Sequence, residues 1–169
     1  MGHILTTSSS VPNTNSIILG REVSDGTFQR LKILKCSKLF VLLTPTDNKK
    51  EGYDYANVAD DSTQITNGQE IYSILHELSG SYSYAIGEVC HCRRIVDDTE
   101  HFQVVNLHTV GRSDVVLSST GHIIGMIQRL SLGTSTSMEI PGHNIVLHFR
   151  EINKFLRTIS ERVLSSKKH

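Results

Sequence analysis

The chain has 169 residues, enough for one domain with a real core and too few for two comfortable ones. Seventeen basic residues balance seventeen acidic ones, so tight unaided binding to nucleic acid, which draws on a cationic surplus, is not expected. Tryptophan is absent and aromatics make up 6%, which argues against a broad base-stacking platform. Three cysteines, Cys36, Cys90 and Cys92, are an odd count without disulfide-framework spacing, as expected in a reducing compartment.

Residues 1–15 carry neither the charged start nor the apolar run of a signal peptide, and read as a flexible N-terminus. No apolar stretch approaches 18 residues, so no membrane span is expected. The remainder, 16–169, reads as a single domain. Ser16–Val23 is a short apolar run closed by Ser24-Asp25-Gly26, a turn signal. From Phe28 apolar Leu31 and Ile33 alternate with Arg30, Lys32 and Lys35, a half-buried strand. Cys36-Ser37 marks a reversal, and Lys38–Leu43 is apolar enough to be covered on both faces before Pro45 ends it.

Residues 46–69 are polar and form a long surface loop with room for a short strand near Gln64–Thr66. In Glu70–Leu78, Ile71, Ile74, Leu75 and Leu78 stand at i, i+3, i+4 and i+7, which predicts a two-turn helix stopped by Ser79-Gly80. Ser81–Arg93 then reads as a strand with Tyr82, Tyr84 and Ile86 on one face and Ala85, Gly87 and Val89 on the other. Gly87 suits a barrel corner. A turn at Val96–Thr99 returns the chain as the strand His101–Val110. The insertion 111–142 holds Ile123, Ile124, Ile127 and Leu130 at helical spacing, which predicts a short helix over 119–130.

The strongest periodicity is the last. Ile145, Phe149, Ile152, Leu156, Ile159 and Val163 are 4, 3, 4, 3 and 4 residues apart, with charged residues between them. This predicts a C-terminal amphipathic helix over 144–164 with Asn144 as its N-cap and Lys167-Lys168 complementing its dipole. Each large apolar side chain buried there contributes roughly 1.5–3 kcal/mol. Six together form a candidate partner-binding face if a barrel already fills its own interior.

Strand, strand, loop, short helix, glycine-cornered strand and strand is the order of a five-stranded OB-fold barrel with its helix between strands 3 and 4. An α+β sandwich of the longin or roadblock adaptor type also mixes a curved sheet with amphipathic helices. In an OB fold the first hairpin and the loop between strands 4 and 5 flank the ligand groove. Arg30, Lys32, Lys35, Lys38, Phe40, Arg93 and Arg94 are therefore candidate nucleic-acid contacts. Strand-edge lysines that block aggregation explain the same charges. Cys90-His91-Cys92 has poor zinc spacing, and none of the G-x-S-x-G, P-loop, H-E-x-x-H and G-x-G-x-x-G motifs occurs. No catalytic residue, metal or cofactor is expected.

GREVSDGTFQRLKILKC followed by KLFVLLTPTD, and YSYAIGEVCHCRR followed by FQVVNLHTVGR, resemble the smallest OB-fold subunit of the telomeric CST complex. That family is itself similar to the small subunits of replication protein A. The resemblance implies a nuclear, non-catalytic subunit of a heterotrimer at chromosome ends. It would bind a larger OB-fold partner, support single-stranded telomeric DNA binding weakly on its own, and act beside telomerase in C-strand synthesis. Alternatives are a general single-strand-binding subunit and an adaptor subunit in trafficking or signalling.

Overall fold

The computed structural model describes residues 3–11, 17–21, 27–46, 55–76, 82–107, 114–128 and 142–166. Among the described residues, ten strands and one α-helix form in chain order: β1 Ile4–Thr7, β2 Ile18–Arg21, β3 Phe28–Cys36, β4 Phe40–Pro45, β5 Glu70–His76, β6 Tyr82–Val96, β7 Thr99–Val105, β8 Val115–Leu117, β9 Ile123–Ile127, β10 His143–His148 and α1 Phe149–Ser166. They make two sheets. The first four strands form an open sheet in the order β1-β4-β3-β2, and the other six close into a barrel in the order β10-β7-β6-β5-β8-β9. Every strand pairing in both is antiparallel.

A β-rich barrel ending in a helix is therefore present, but the barrel has six strands rather than five. Both short helices expected on the way to it are strands. Glu70–His76 pairs with β6 along its whole length, from Glu70 opposite Glu88 to His76 opposite Tyr82. Its Ile71 and Ser73 point into the barrel while Ile74 points out, a period of two that the apolar residues at both parities conceal. The expected helix over 119–130 is the β8–β9 hairpin, turned at Gly121 with φ +79°. The 111–142 insertion thus supplies two of the barrel's strands.

The N-terminal and C-terminal boundaries also move. Residues 4–10, expected to be flexible, form β1 and a 3-10 turn at Ser8–Ser10. The helix starts at Phe149 instead of 144, because Ile145, Val146 and Leu147 are buried on both sides of β10. Asn144 is no helix cap: its Nδ2 donates to Leu107 O at 2.8 Å. His148 caps the helix, its Nδ1 accepting the Arg150 N–H at 3.2 Å. Part of the 46–69 loop is docked, with Val58 bridged to Ile123 and Ala59 buried, while Gln64–Thr66 carries no strand.

The expected strands near residues 18, 30, 42, 85 and 103 are present. Gly87 sits at a close approach: a Cβ there would lie 2.8 Å from Val105 O and 2.9 Å from Leu107 Cβ. The β6–β7 turn places Asp97 and Asp98 at φ 47° and 59°, the left-handed pair that suits a tight hairpin.

Three cores result. Ile71, Val89, Phe102, Val104, Val116, Ile124 and Val146 fill the barrel. Leu31, Val41 and Leu43, with Val11, Ile18 and Ile33, cover the inner face of the open sheet. Phe40 and Leu42 of the open sheet meet Met126 and Leu147 of the barrel and Ile152 and Phe155 of the helix, so α1 seals the seam between the sheets.

Candidate functional site

The C-terminal stripe expected to face a partner is largely committed to its own chain. Ile145, Phe149 and Ile152 are buried, and Leu156 and Ile159 pack at the margin of the seam. The reason is geometric: Ile152 and Phe155 of the helix pack between Phe40 and Leu42 of the open sheet and Met126 and Leu147 of the barrel. The Val163 side chain lies outside the described residues, as do Lys167 and Lys168.

The seven expected nucleic-acid contacts do not converge. Arg30 and Lys32 are exposed, two residues apart on β3. A bulge between Ile33 and Lys35 shifts the register, and Lys35 turns to α1, donating to Thr158 Oγ1 at 2.6 Å and lying 5.7 Å from the Phe155 ring centroid. Lys38 is exposed in the turn before β4. Phe40 cannot stack on a base, since it is buried against Phe155 with centroids 5.5 Å apart. Arg93 and Arg94 belong to the other sheet: Arg93 pairs with Glu100 at 3.1 Å and Arg94 donates to Gln103 Oε1 at 2.8 Å.

The hydroxyls at and after the end of β1 bond to one another and to a carbonyl. Thr7 Oγ1 contacts Ser9 Oγ at 3.0 Å and Ser10 Oγ at 3.2 Å, and Ser8 Oγ donates to Lys38 O at 2.6 Å. None of these contacts involves a base. A Ser-His-Asp relay needs an imidazole bonded to a hydroxyl on one side and to a carboxylate on the other. His122 Nδ1 meets Thr120 Oγ1 at 2.9 Å in a hairpin turn. His101 lies between Thr99 O and Gln128 Oε1, both at 3.0 Å. His148 is wedged against Phe102 and Phe149, and burial lowers its pKa to about 4. None of these three is hydrogen-bonded to a carboxylate. Burial pushes the Cys90 thiol up, away from nucleophilic character.

What the structure does expose is apolar and lies on the open sheet. Ile4 on edge strand β1 is 43% exposed, Leu19 on edge strand β2 54%, and Phe28, opposite Arg21 of β2, 67%. Ile17, which leads into β2, and Leu34 at the β3 bulge are also exposed. These five are half of the ten large exposed apolar side chains among the described residues. On the barrel, Ile74 opposite Tyr84 and Ile86 opposite Tyr72 make a second exposed group. A groove of about 560 Å³ with a mixed polar and apolar lining lies between the 58–62 segment and α1. It is bounded by the Asp61–Arg157 ion pair at 2.6 Å and by Asn153 Nδ2 donating to Ala59 O. Of these edge positions, those of β1 are not legible in the sequence, because Ile4–Thr7 reads as part of a flexible tail. The β-branched Ile4, Thr6 and Thr7 are the available signal.

No protein-family model matches the chain, and no curated protein is significantly similar to it. Solved structures do share its fold. One is the protease domain of MamO from Magnetospirillum magneticum in its apo form, with a TM-score of 0.66 and 14% identity over 91% of this chain and 82% of that one. At that identity the likeness is one of fold.

Proposed function

We propose that this chain is a non-catalytic subunit that acts by binding another protein through its four-stranded sheet. The observation that carries this reading is the contrast between the two sheets. Among the described residues the six barrel strands pair in a closed ring, whereas the other sheet runs from β1 to β2, with large apolar side chains exposed at Ile4 and Leu19. An open apolar edge left bare is an aggregation hazard, and proteins blunt it with charge, proline or a partner.

A photo-crosslinking residue at position 19 or 28, in extract of the native cell, should give one discrete adduct. The same residue at exposed Tyr55 should not. Equal yields at all three positions would remove the reading. Stoichiometric labelling of a serine by a fluorophosphonate probe would replace it with a peptidase role.

A second reading is carried by Arg30 and Lys32, exposed together on β3 beside Phe28. They could hold a single-stranded phosphate backbone when partners supply the rest of the site. A CST-like complex at chromosome ends, with its larger OB-fold subunit and telomerase, is the form of this reading that the sequence resemblance implies. Arg30→Glu with Lys32→Glu should then weaken oligonucleotide binding by the assembled complex and flatten its salt dependence. Unchanged binding would discard it.

A further inference from the structure

We infer that Asn67 is a self-modification site: its side-chain amide is lost to attack by the Gly68 nitrogen when the turn carrying both residues lifts from β6. Asn67-Gly68 is the one Asn-Gly step in the sequence. Glycine carries no Cβ to shield its amide nitrogen, which can therefore close on the preceding side-chain carbonyl carbon. Both residues are exposed, so water and base reach them. In the reaction the Gly68 nitrogen gives its proton to base and bonds Asn67 Cγ. The Cγ–Nδ2 bond breaks, and ammonia leaves with a proton returned by solvent. Water then opens the five-membered imide at one of two carbonyl carbons. Opening at Cγ leaves an aspartate, and opening at the main-chain carbonyl leaves an isoaspartate whose chain runs on through Cγ. One water is consumed and one ammonia released, with no change of oxidation state.

The closed turn withholds the nucleophile. The proton that must leave is the one Gly68 donates to Val89 O at 2.8 Å. Gly68 stands at φ +79° and the Gln69 N–H donates to Thr66 O at 3.2 Å, the pattern of a type II turn. The Thr66 N–H donates to Gln69 Oε1 at 3.1 Å, which braces the turn from its own side chain. Closing the imide ring swings the Gly68 peptide plane towards Cγ and away from Val89 O. Opening must come first, so the rate of amide loss follows the open population.

The isoaspartate changes the fold locally where the aspartate does not. Beyond Glu70 and Glu88, the last pair of the β5–β6 ladder, this turn continues along the edge of β6. There the Val89 N–H donates to Gln69 O at 2.9 Å and the Cys92 N–H to Asn67 Oδ1 at 2.7 Å. An aspartate keeps the main chain and an oxygen for Cys92. An isoaspartate adds a methylene to the main chain, so the bonds to Val89 and Cys92 cannot all be rebuilt in register. Ile65, packed on the barrel core just before the turn, loses its anchor.

The test incubates the full chain folded and in guanidinium chloride, and follows Asn67 by peptide mass. Methyl transfer from labelled S-adenosylmethionine by an isoaspartate-specific methyltransferase separates the two products. The denatured chain should lose the Asn67 amide ahead of every other asparagine, and the folded chain should lose it roughly tenfold or more slowly. Gln69→Ala should raise Gly68 amide exchange and amide loss by the same factor. A series in sub-denaturing guanidinium reads the same correlation if that variant leaves the turn shut. Equal rates folded and denatured, or faster exchange without faster amide loss, overturn the proposal. So does a denatured chain that loses other asparagine amides first. In the isoaspartyl product the Val89 and Cys92 amides should exchange roughly tenfold or more faster, while Asn67→Asp leaves them as in the starting protein. Equal protection in the isoaspartyl product and in Asn67→Asp would show that the turn absorbs the extra methylene, and overturns the structural consequence.

Discussion

Lys35 and Phe155 meet across the seam between the open sheet and the helix, the ammonium 5.7 Å from the ring centroid, while the same ring packs on Phe40 with centroids 5.5 Å apart. One aromatic side chain thus ties two strands of the open sheet, β3 and β4, to α1. Phe155→Ala should cost about 3–5 kcal/mol, read as a lower urea midpoint with an unchanged slope. Lys35→Ala should cost about 0.5–1 kcal/mol. In a double-mutant cycle the two should be coupled; strict additivity would show that the contact carries no energy.

His148 makes stability depend on mild acid. Burial lowers its folded-state pKa from 6.5 to about 4, so protonation favours the unfolded chain. The full contribution is present above pH 6.5 and drains away as pH falls towards 4, a change of up to about 3 kcal/mol. His148→Gln should flatten the difference in unfolding free energy between pH 7 and pH 4.5 relative to the wild type. Parallel pH profiles for the two proteins would contradict this.

Glu100 holds two cations, Arg93 and Arg150, each at 3.1 Å, and its own side chain is nearly buried. Both arginines are substantially exposed, so screening limits the loss. Glu100→Gln should cost about 1–2 kcal/mol, and part of that cost should disappear in high salt.

Gly125 allows β9 to lie against β10. A Cβ there would lie 2.5 Å from Leu147 O and 2.8 Å from Phe102 Cε1. Gly125→Ala should destabilise by about 1–3 kcal/mol or more. Gly121→Ala meets no atom within 4 Å and should cost only about 1 kcal/mol from its φ of +79°. Reversed magnitudes in thermal unfolding would refute the packing argument.

The sequence made the strands with one solvated face legible. In β3 the exposed Arg30 and Lys32 alternate with the inward Leu31 and Ile33, and in β6 Tyr84 and Ile86 face out while Gly87 and Val89 face in. It misled where both faces are covered. Ile124 enters the barrel and Met126 enters the seam, so β9 shows no alternation and its isoleucines mimic a helix. The same ambiguity made Ile71 and Ile74 look like one helical face. The helix stripe itself was visible, but not its destination. Phe40 and Phe155 are 115 positions apart, and no local pattern reports that one covers the other. The candidate cationic residues are dispersed for a related reason: the bulge after Ile33 re-aims Lys35, and bulges leave little trace in composition.

Glu88 is aligned with Glu70 on one neighbouring strand and with Val105 on the other, so the 15-residue β6 serves two seams in succession. A proteolytic nick within Tyr82–Val96 would therefore loosen both joints of the cylinder together. A nick at Asp97-Asp98 would sever only a connector whose flanking ladders remain zipped. Complementation by two separately expressed pieces should succeed when the break falls at that tip and fail when it falls a few residues earlier.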